Sequence, residues 1–349
     1  MRSVHAVKHL WTRSLRAACW AGGAVLWAAC SAAADDPRIW VDRMNQALAT
    51  RNYDGVLVHQ LGDRQDTLRI IHRIQDGHLT ERLLSADGSG REFVRSDNEL
   101  VSYFPDRRIV VVERRSRSLG FIGGLPGVDA NSYSQYDLGD AEPALVQGRP
   151  ARLISIRPRD GYRYGYRLWI DEKTSMPVQT QLFAGDGSII EQNTFASLTL
   201  PAHIDEQLLR SQLPTDGYRW LRRQPPQFKP GEKVSWAAQA LPPGFRRTGV
   251  GGTDGGNKPV SHLLFSDGLV TVSVFIESAD TPPALTRNGT PRKADGPAQL
   301  GAAAAFTAHI DGYRVTAVGE VPPQTVRLIA ESLRPQPETA AVSPVAPAH

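Results

Sequence analysis

Residues 164–198 read YGYRLWIDEKTSMPVQTQLFAGDGSIIEQNTFASL. Apolar and polar residues alternate over 164–171, 177–183 and 189–198, the period of two that a half-buried strand requires. Asp186-Gly187 separates the last two runs, a pair suited to tight hairpins. The same pattern spreads outward from this stretch. Towards the N-terminus it covers 54–60, 67–74, 79–84, 91–95, 99–104, 109–112 and 149–157, with further turns at Asp76-Gly77, Asp87-Gly88 and Asp160-Gly161. No strand-helix-strand alternation occurs, which disfavours a parallel α/β sheet. The reading is a β-rich α+β protein built on a long antiparallel meander.

One helix precedes the meander. Asp36 is a good N-cap and Pro37 fits the first helical position, while Trp40, Met44, Ala47 and Leu48 follow at helical spacing. A short amphipathic helix is expected over about 36–50.

Residues 1–34 have the form of an export signal. Arg2, Lys8, Arg13 and Arg16 precede an apolar run over 17–29 that falls short of the roughly 20 residues a membrane span needs. Ala32-Ala33-Ala34 then offers cleavage before Asp35. The alternative is a lipoprotein signal, with Trp27-Ala28-Ala29 leading to Cys30. Four of the 40 basic residues and none of the 36 acidic ones lie in 1–34, so the remainder carries 36 of each. The pI near 9.1 therefore gives no electrostatic argument for a nucleic-acid partner. Both cysteines, Cys19 and Cys30, also lie in 1–34, which leaves no disulfide for the exported chain.

The Pro- and Arg-rich stretch 214–230 divides a first domain, 35–213, from a second, 231–334. The second is expected to hold strands over 234–238, 262–265, 269–276, 303–309 and 313–318. Its closing helix begins at Pro322-Pro323 and carries the stripe Val326, Ile329, Ala330 and Leu333. Residues 249–258 and 279–297, rich in Gly, Pro, Asp and Thr, are expected to be loops, and 335–349 a disordered tail.

Searching for chemistry yields little. The seven histidines after residue 34 form no metal-binding motif, 249–258 lacks the Lys-Ser/Thr ending of a phosphate loop, and neither G-x-S-x-G nor S-x-x-K occurs. The expectation is a binding protein with no cofactor, no metal and no enzymatic activity. Two features suit a ligand. Residues 116–136 set Leu119, Phe121, Ile122, Leu125 and Val128 among glycines, either as a loop capping the sheet or as a flap over an apolar cavity. Arg107, Arg108, Arg114, Arg115 and Arg117 flank the strand 109–112, either as a charged edge that discourages aggregation or as an anion-binding rim for a phosphorylated glycolipid.

Three segments carry a resemblance: YRLWIDEKTSMPVQTQLFAGDGSIIEQNTF at 166–195, HLLFSDGLVTVSVFIE at 262–277 and DGYRVTAVGEVPPQTVRLIAESL at 311–333. Together, in this order after an export signal, they resemble the RseB/MucB family of periplasmic regulators of the envelope-stress sigma factor. The first segment alone is shared in style with the LolA/LolB carriers. The resemblance implies a LolA-like curved half-barrel around helices and an apolar cavity, followed by a smaller α+β domain. It also implies binding to the periplasmic domain of a membrane-spanning anti-sigma factor, protection of that factor from proteolysis, and release by lipopolysaccharide or another acylated ligand. On this reading lipid would sit at Phe121, Ile122 and Leu125 with Arg114 and Arg115 at the rim. The partner surface would lie around Trp236, Phe245, Phe265 and Phe275. A periplasmic lipid or lipoprotein carrier is the competing function, and self-association is left open.

Overall fold

The computed structural model describes residues 36–114, 132–223, 227–228, 236–255, 258–280 and 296–336. Helix α1 (Pro37–Thr50) opens the chain, and the Asp36 carboxylate accepts the Arg38 N–H at 2.9 Å as its cap. Trp40, Met44, Ala47 and Leu48 are buried, as their spacing predicts, and Val41 is buried with them.

The meander follows as β1 (Tyr53–Leu61), β2 (Arg64–Gln75), β3 (His78–Ser85), β4 (Glu92–Ser96), β5 (Glu99–Phe104) and β6 (Ile109–Arg114). It resumes as β7 (Tyr136–Leu138), β8 (Glu142–Val146), β9 (Arg149–Pro158), β10 (Gly165–Asp171), β11 (Pro177–Phe183) and β12 (Ile189–Thr199). A single turn, α2 (Glu206–Leu209), leads to β13 (Arg219–Arg223). These strands form one open, curved sheet in the order β13-β6-β5-β4-β3-β2-β1-β12-β11-β10-β9-β7, with β8 on β9. Among the described residues its strand pairs are antiparallel except that of β13 with β6.

The inner face of the sheet packs on α1. Met44, Tyr53, Leu57, Ile70, Ile154, Leu168 and Val178 share one core. Across β1 to β4 that face also carries a polar row, because Tyr53 lies opposite His72, His72 opposite Glu81, and Glu81 opposite Arg95. On the outer face α2 closes a small core of Ile71, Ile204 and Leu209.

The second sheet comprises β14 (Gln227–Phe228), β16 (Arg246–Gly255), β17 (Lys258–Ser266), β18 (Thr271–Ser278), β19 (Gly296–Leu300), β20 (Ala303–Ile310) and β21 (Tyr313–Gly319). Helix α3 (Pro323–Ser332) lays Val326, Ile329 and Ala330 on it, and Leu333 belongs to the same core, all with no exposed surface. A two-stranded ribbon joins β15 (Trp236–Ala238) to β22 (Leu333–Pro335).

Two expectations need revising. The described residues of 249–258 are not a loop: 249–255 lie in β16 and Lys258 starts β17, held in register by pairs such as Val250 with Leu263 and Gly251 with His262. Glycine carries no side chain, so an alternating pattern there is invisible in sequence. Within 214–230, Arg219–Arg223 joins the larger sheet as an edge strand. Strands β7, β8 and β19 also went unforeseen. Most of 116–136 and 279–297, and all but the first two residues of 335–349, fall outside the described residues.

Candidate functional site: a pinned junction between two sheets

The best-built polar site lies where the two sheets meet. Arg163 leaves the Asp160-Gly161 turn between β9 and β10, and its side chain has no exposed surface. Its Nε donates to Asp267 Oδ2 at 2.5 Å, one Nη donates to Asp160 Oδ2 at 2.5 Å, and the other donates to the Pro243 carbonyl. The guanidinium carbon lies 4.9 Å from the Phe245 ring centroid and 5.8 Å from that of Tyr136. A buried cation is tolerable only when paired and hydrogen-bonded in this way.

Asp267 comes from the other sheet, in the Ser266-Asp267-Gly268 turn between β17 and β18. Its Oδ1 accepts the N–H groups of Leu269 and Val270 at 2.8 and 2.9 Å, and its Oδ2 accepts the Tyr136 hydroxyl at 3.1 Å as well as Arg163. Burial, with the Asp267 charge beside it, holds the Tyr136 phenol well above its ordinary pKa.

Contacts around this pin extend the junction. Thr325 Oγ1 donates to the Tyr162 carbonyl at 2.8 Å and Gln324 Nε2 to the Gly161 carbonyl at 2.6 Å, which ties the start of α3 to the same turn. Leu269 joins the core under α1, and Ala302 packs with Tyr164 and Leu182. Gly244 is required here twice over: its φ is +80°, and a Cβ would lie 2.6 Å from Gln135 Cγ.

The sequence-predicted residues fare unevenly. Trp236, Phe245 and Phe265 are 5, 6 and 2% exposed, so they belong to the second core and not to a surface that a partner can reach. The small sheet is covered by α3, and its aromatics fill the space beneath. Phe275 is half-buried and stacks on His262, with ring centroids 4.2 Å apart. Arg114 is exposed at the end of β6, whereas Arg115, Phe121, Ile122 and Leu125 lie outside the described residues. Arg108 donates to the Asp216 carbonyl at 3.2 Å and lies over the Tyr218 ring, so it braces the entry to β13. Sequence reasoning missed Arg163 and Asp267 as site residues. The available signal was that each sits beside an Asp-Gly turn, at 160–161 and 267–268.

His262 supplies a pH-dependent element. Burial pushes its pKa down to about 4, so the unfolded chain binds this proton more readily than the folded one between pH 4 and about 6.5. The stability it contributes is complete above pH 6.5 and is lost as pH falls towards 4, on the order of 1–3 kcal/mol. Urea denaturation of the native chain and His262→Phe across this window should show the native curve falling more steeply on acidification. Equal slopes would remove His262 from the account.

Against this geometry, comparison with known proteins is decisive. Residues 36–213 match the model of the MucB/RseB N-terminal domain, and residues 230–334 that of the MucB/RseB C-terminal domain. The chain belongs to the MucB/RseB family. It is 30% identical over 318 residues to the sigma factor AlgU regulatory protein MucB of Pseudomonas aeruginosa, covering 87% of this chain and 92% of that protein. It is 28% identical over 321 residues to the sigma-E factor regulatory protein RseB of Escherichia coli, covering 89% and 95%. The crystal structure of MucB in complex with MucA(peri) superposes with a TM-score of 0.64 at 28% identity, covering 87% of this chain and all of that one. In this MucB/RseB chain, Asp160, Arg163 and Tyr136 lie in the stretch matched by the N-terminal model and Asp267 in that matched by the C-terminal model, so the pin joins the two matched regions.

Proposed function

We propose that this chain is a periplasmic regulator that binds the periplasmic part of a membrane-spanning anti-sigma factor, shields it from proteolysis, and is released by an acylated, phosphorylated glycolipid. One observation carries the reading: similarity over 87% of this chain and 92% of MucB, a protein crystallised with MucA(peri). The chain acts as a binding protein and not as an enzyme. Export removes residues 1–34.

The junction supports this assignment physically. A partner that must be covered against a protease needs an interface on the order of 1,200–2,000 Å². Two sheets held in one arrangement by Arg163 and Asp267 offer a preorganised surface, which spares the partner the cost of ordering it. Release by lipid requires only that lipid favour an arrangement with lower affinity for the partner. Phe121, Ile122 and Leu125, with Arg114 and Arg115 at the rim, are the proposed lipid contacts. Of the four aromatics considered for the partner surface, only Phe275 retains that role.

A protection assay tests the proposal. The periplasmic segment of the anti-sigma factor is exposed to its initiating protease with and without this chain, then with lipopolysaccharide added. Cleavage should slow by about tenfold or more in the presence of the chain and recover with lipid. Phe121→Asp with Ile122→Asp should blunt the recovery while protection persists. An unchanged cleavage rate would refute the shielding role.

A further inference from the structure

The larger sheet ends on β13, and no strand among the described residues pairs with its outer edge. Its sequence, Arg219-Trp220-Leu221-Arg222-Arg223, contains no acid. The Arg219 N–H donates inward to the Arg108 carbonyl at 2.9 Å. Backbone groups alternate in direction along a strand, so the N–H and C=O of Trp220 and Arg222 point outward. Side chains alternate between the faces: Arg219 stands with Ile109 on one, and Trp220 and Arg222 with Val110 and Val112 on the other. Arg219 and Arg222 are both exposed, and neither forms an ion pair among the described residues. Trp220 is 48% exposed, with its ring set edgewise against Tyr103 at 6.5 Å.

We infer that β13 is a docking edge for an extended, acidic segment of a partner protein, which adds to the sheet as a further strand. This deepens the anti-sigma reading, because it assigns that segment to the partner's periplasmic part. A basic edge strand also guards against aggregation, but the guard is selective. A second copy of this chain pairing β13 with β13 would set arginine against arginine. A flat anionic membrane cannot meet Arg219 and Arg222 together, since they stand on opposite faces of the sheet. A strand lying alongside sends its own side chains alternately to both faces, so acidic residues at odd spacing reach both arginines while the free N–H and C=O groups form the ladder. Trp220 adds apolar contact on the Arg222 face.

Fluorescence anisotropy with a labelled peptide repeating Asp-Asp-Val-Val, which carries acids on both faces of an extended strand, against its Lys-Lys-Val-Val counterpart, tests the edge on the full chain. The acidic peptide should bind saturably and the basic one should not. Arg222→Pro removes an outward donor and no bond to β6, and should weaken the acidic peptide by about tenfold. Arg219→Glu with Arg222→Glu should invert the preference, which keeps the test valid if the proline variant folds poorly. Equal binding of both peptides would overturn the inference. So would capture by phosphatidylglycerol vesicles, abolished by the charge reversal, in the absence of peptide binding. If the partner's periplasmic domain binds the native chain and both variants alike, the docking edge is wrong while the anti-sigma reading stands. If that domain fails to bind but the acidic peptide responds to both variants, the edge stands and the reading falls.

Discussion

Arg163→Met should lower the stability of the chain by about 3–5 kcal/mol and split its thermal unfolding into two transitions. The magnitude follows from breaking a buried ion pair by removing one partner, which strands the other charge away from water. Asp267 is 3% exposed and would keep three donors, the Leu269 and Val270 N–H groups and the Tyr136 hydroxyl, but would lose its only cation among the described residues. The Pro243 carbonyl and Asp160 would lose their guanidinium partner as well. Because these contacts join the two sheets, the loss should appear as uncoupling and not only as a lower midpoint. Adding Asp267→Leu to the variant should not restore stability, since it orphans those three donors. Scanning calorimetry that shows one unchanged transition for Arg163→Met would refute the pin.

A second buried pair should behave differently. Arg82 and Glu92 are each 6% exposed and meet through two bonds, Nε to Oε2 at 3.1 Å and Nη2 to Oε1 at 2.8 Å. Glu92→Ala leaves the guanidinium buried without its counter-ion and should cost about 3–5 kcal/mol. Arg82→Met with Glu92→Leu removes both charges and refills the space, so it should lie within about 1–2 kcal/mol of the native chain. The residual loss reflects the Leu208 carbonyl in α2, which accepts from Arg82 Nη1 at 3.1 Å. Urea titrations of the three proteins give the comparison. A double variant as unstable as Glu92→Ala would show that the charges contribute more than their desolvation costs.

The two pairs illustrate which parts of this fold are legible in a single sequence. Helix α1 was legible because its cap and all its apolar positions are local, and the hairpins because their turn residues are. Asp76-Gly77 takes positive φ at both residues, 52° and 76°, as a tight turn matched to sheet twist demands. Strand β16 was hidden by its own glycines. Strand β13 was hidden because an exposed edge shows arginine and tryptophan where a buried strand would show alternation. The junction was out of reach for another reason: Arg163 and Asp267 are 104 residues apart, and neither carries a local mark of burial. The aromatics Trp236, Phe245 and Phe265 were legible as important, but alternation cannot say whether a covered sheet turns them to its core or to a partner.

On the proposed function this chain recognises the periplasmic part of an anti-sigma factor. Isothermal titration of the purified chain with that segment tests it most directly. Saturable binding in the micromolar range or tighter is expected, on the order of −8 kcal/mol or more favourable, weakened when an acylated, phosphorylated glycolipid is present. Absence of binding heat at any temperature, together with separate elution of the two proteins, would contradict it.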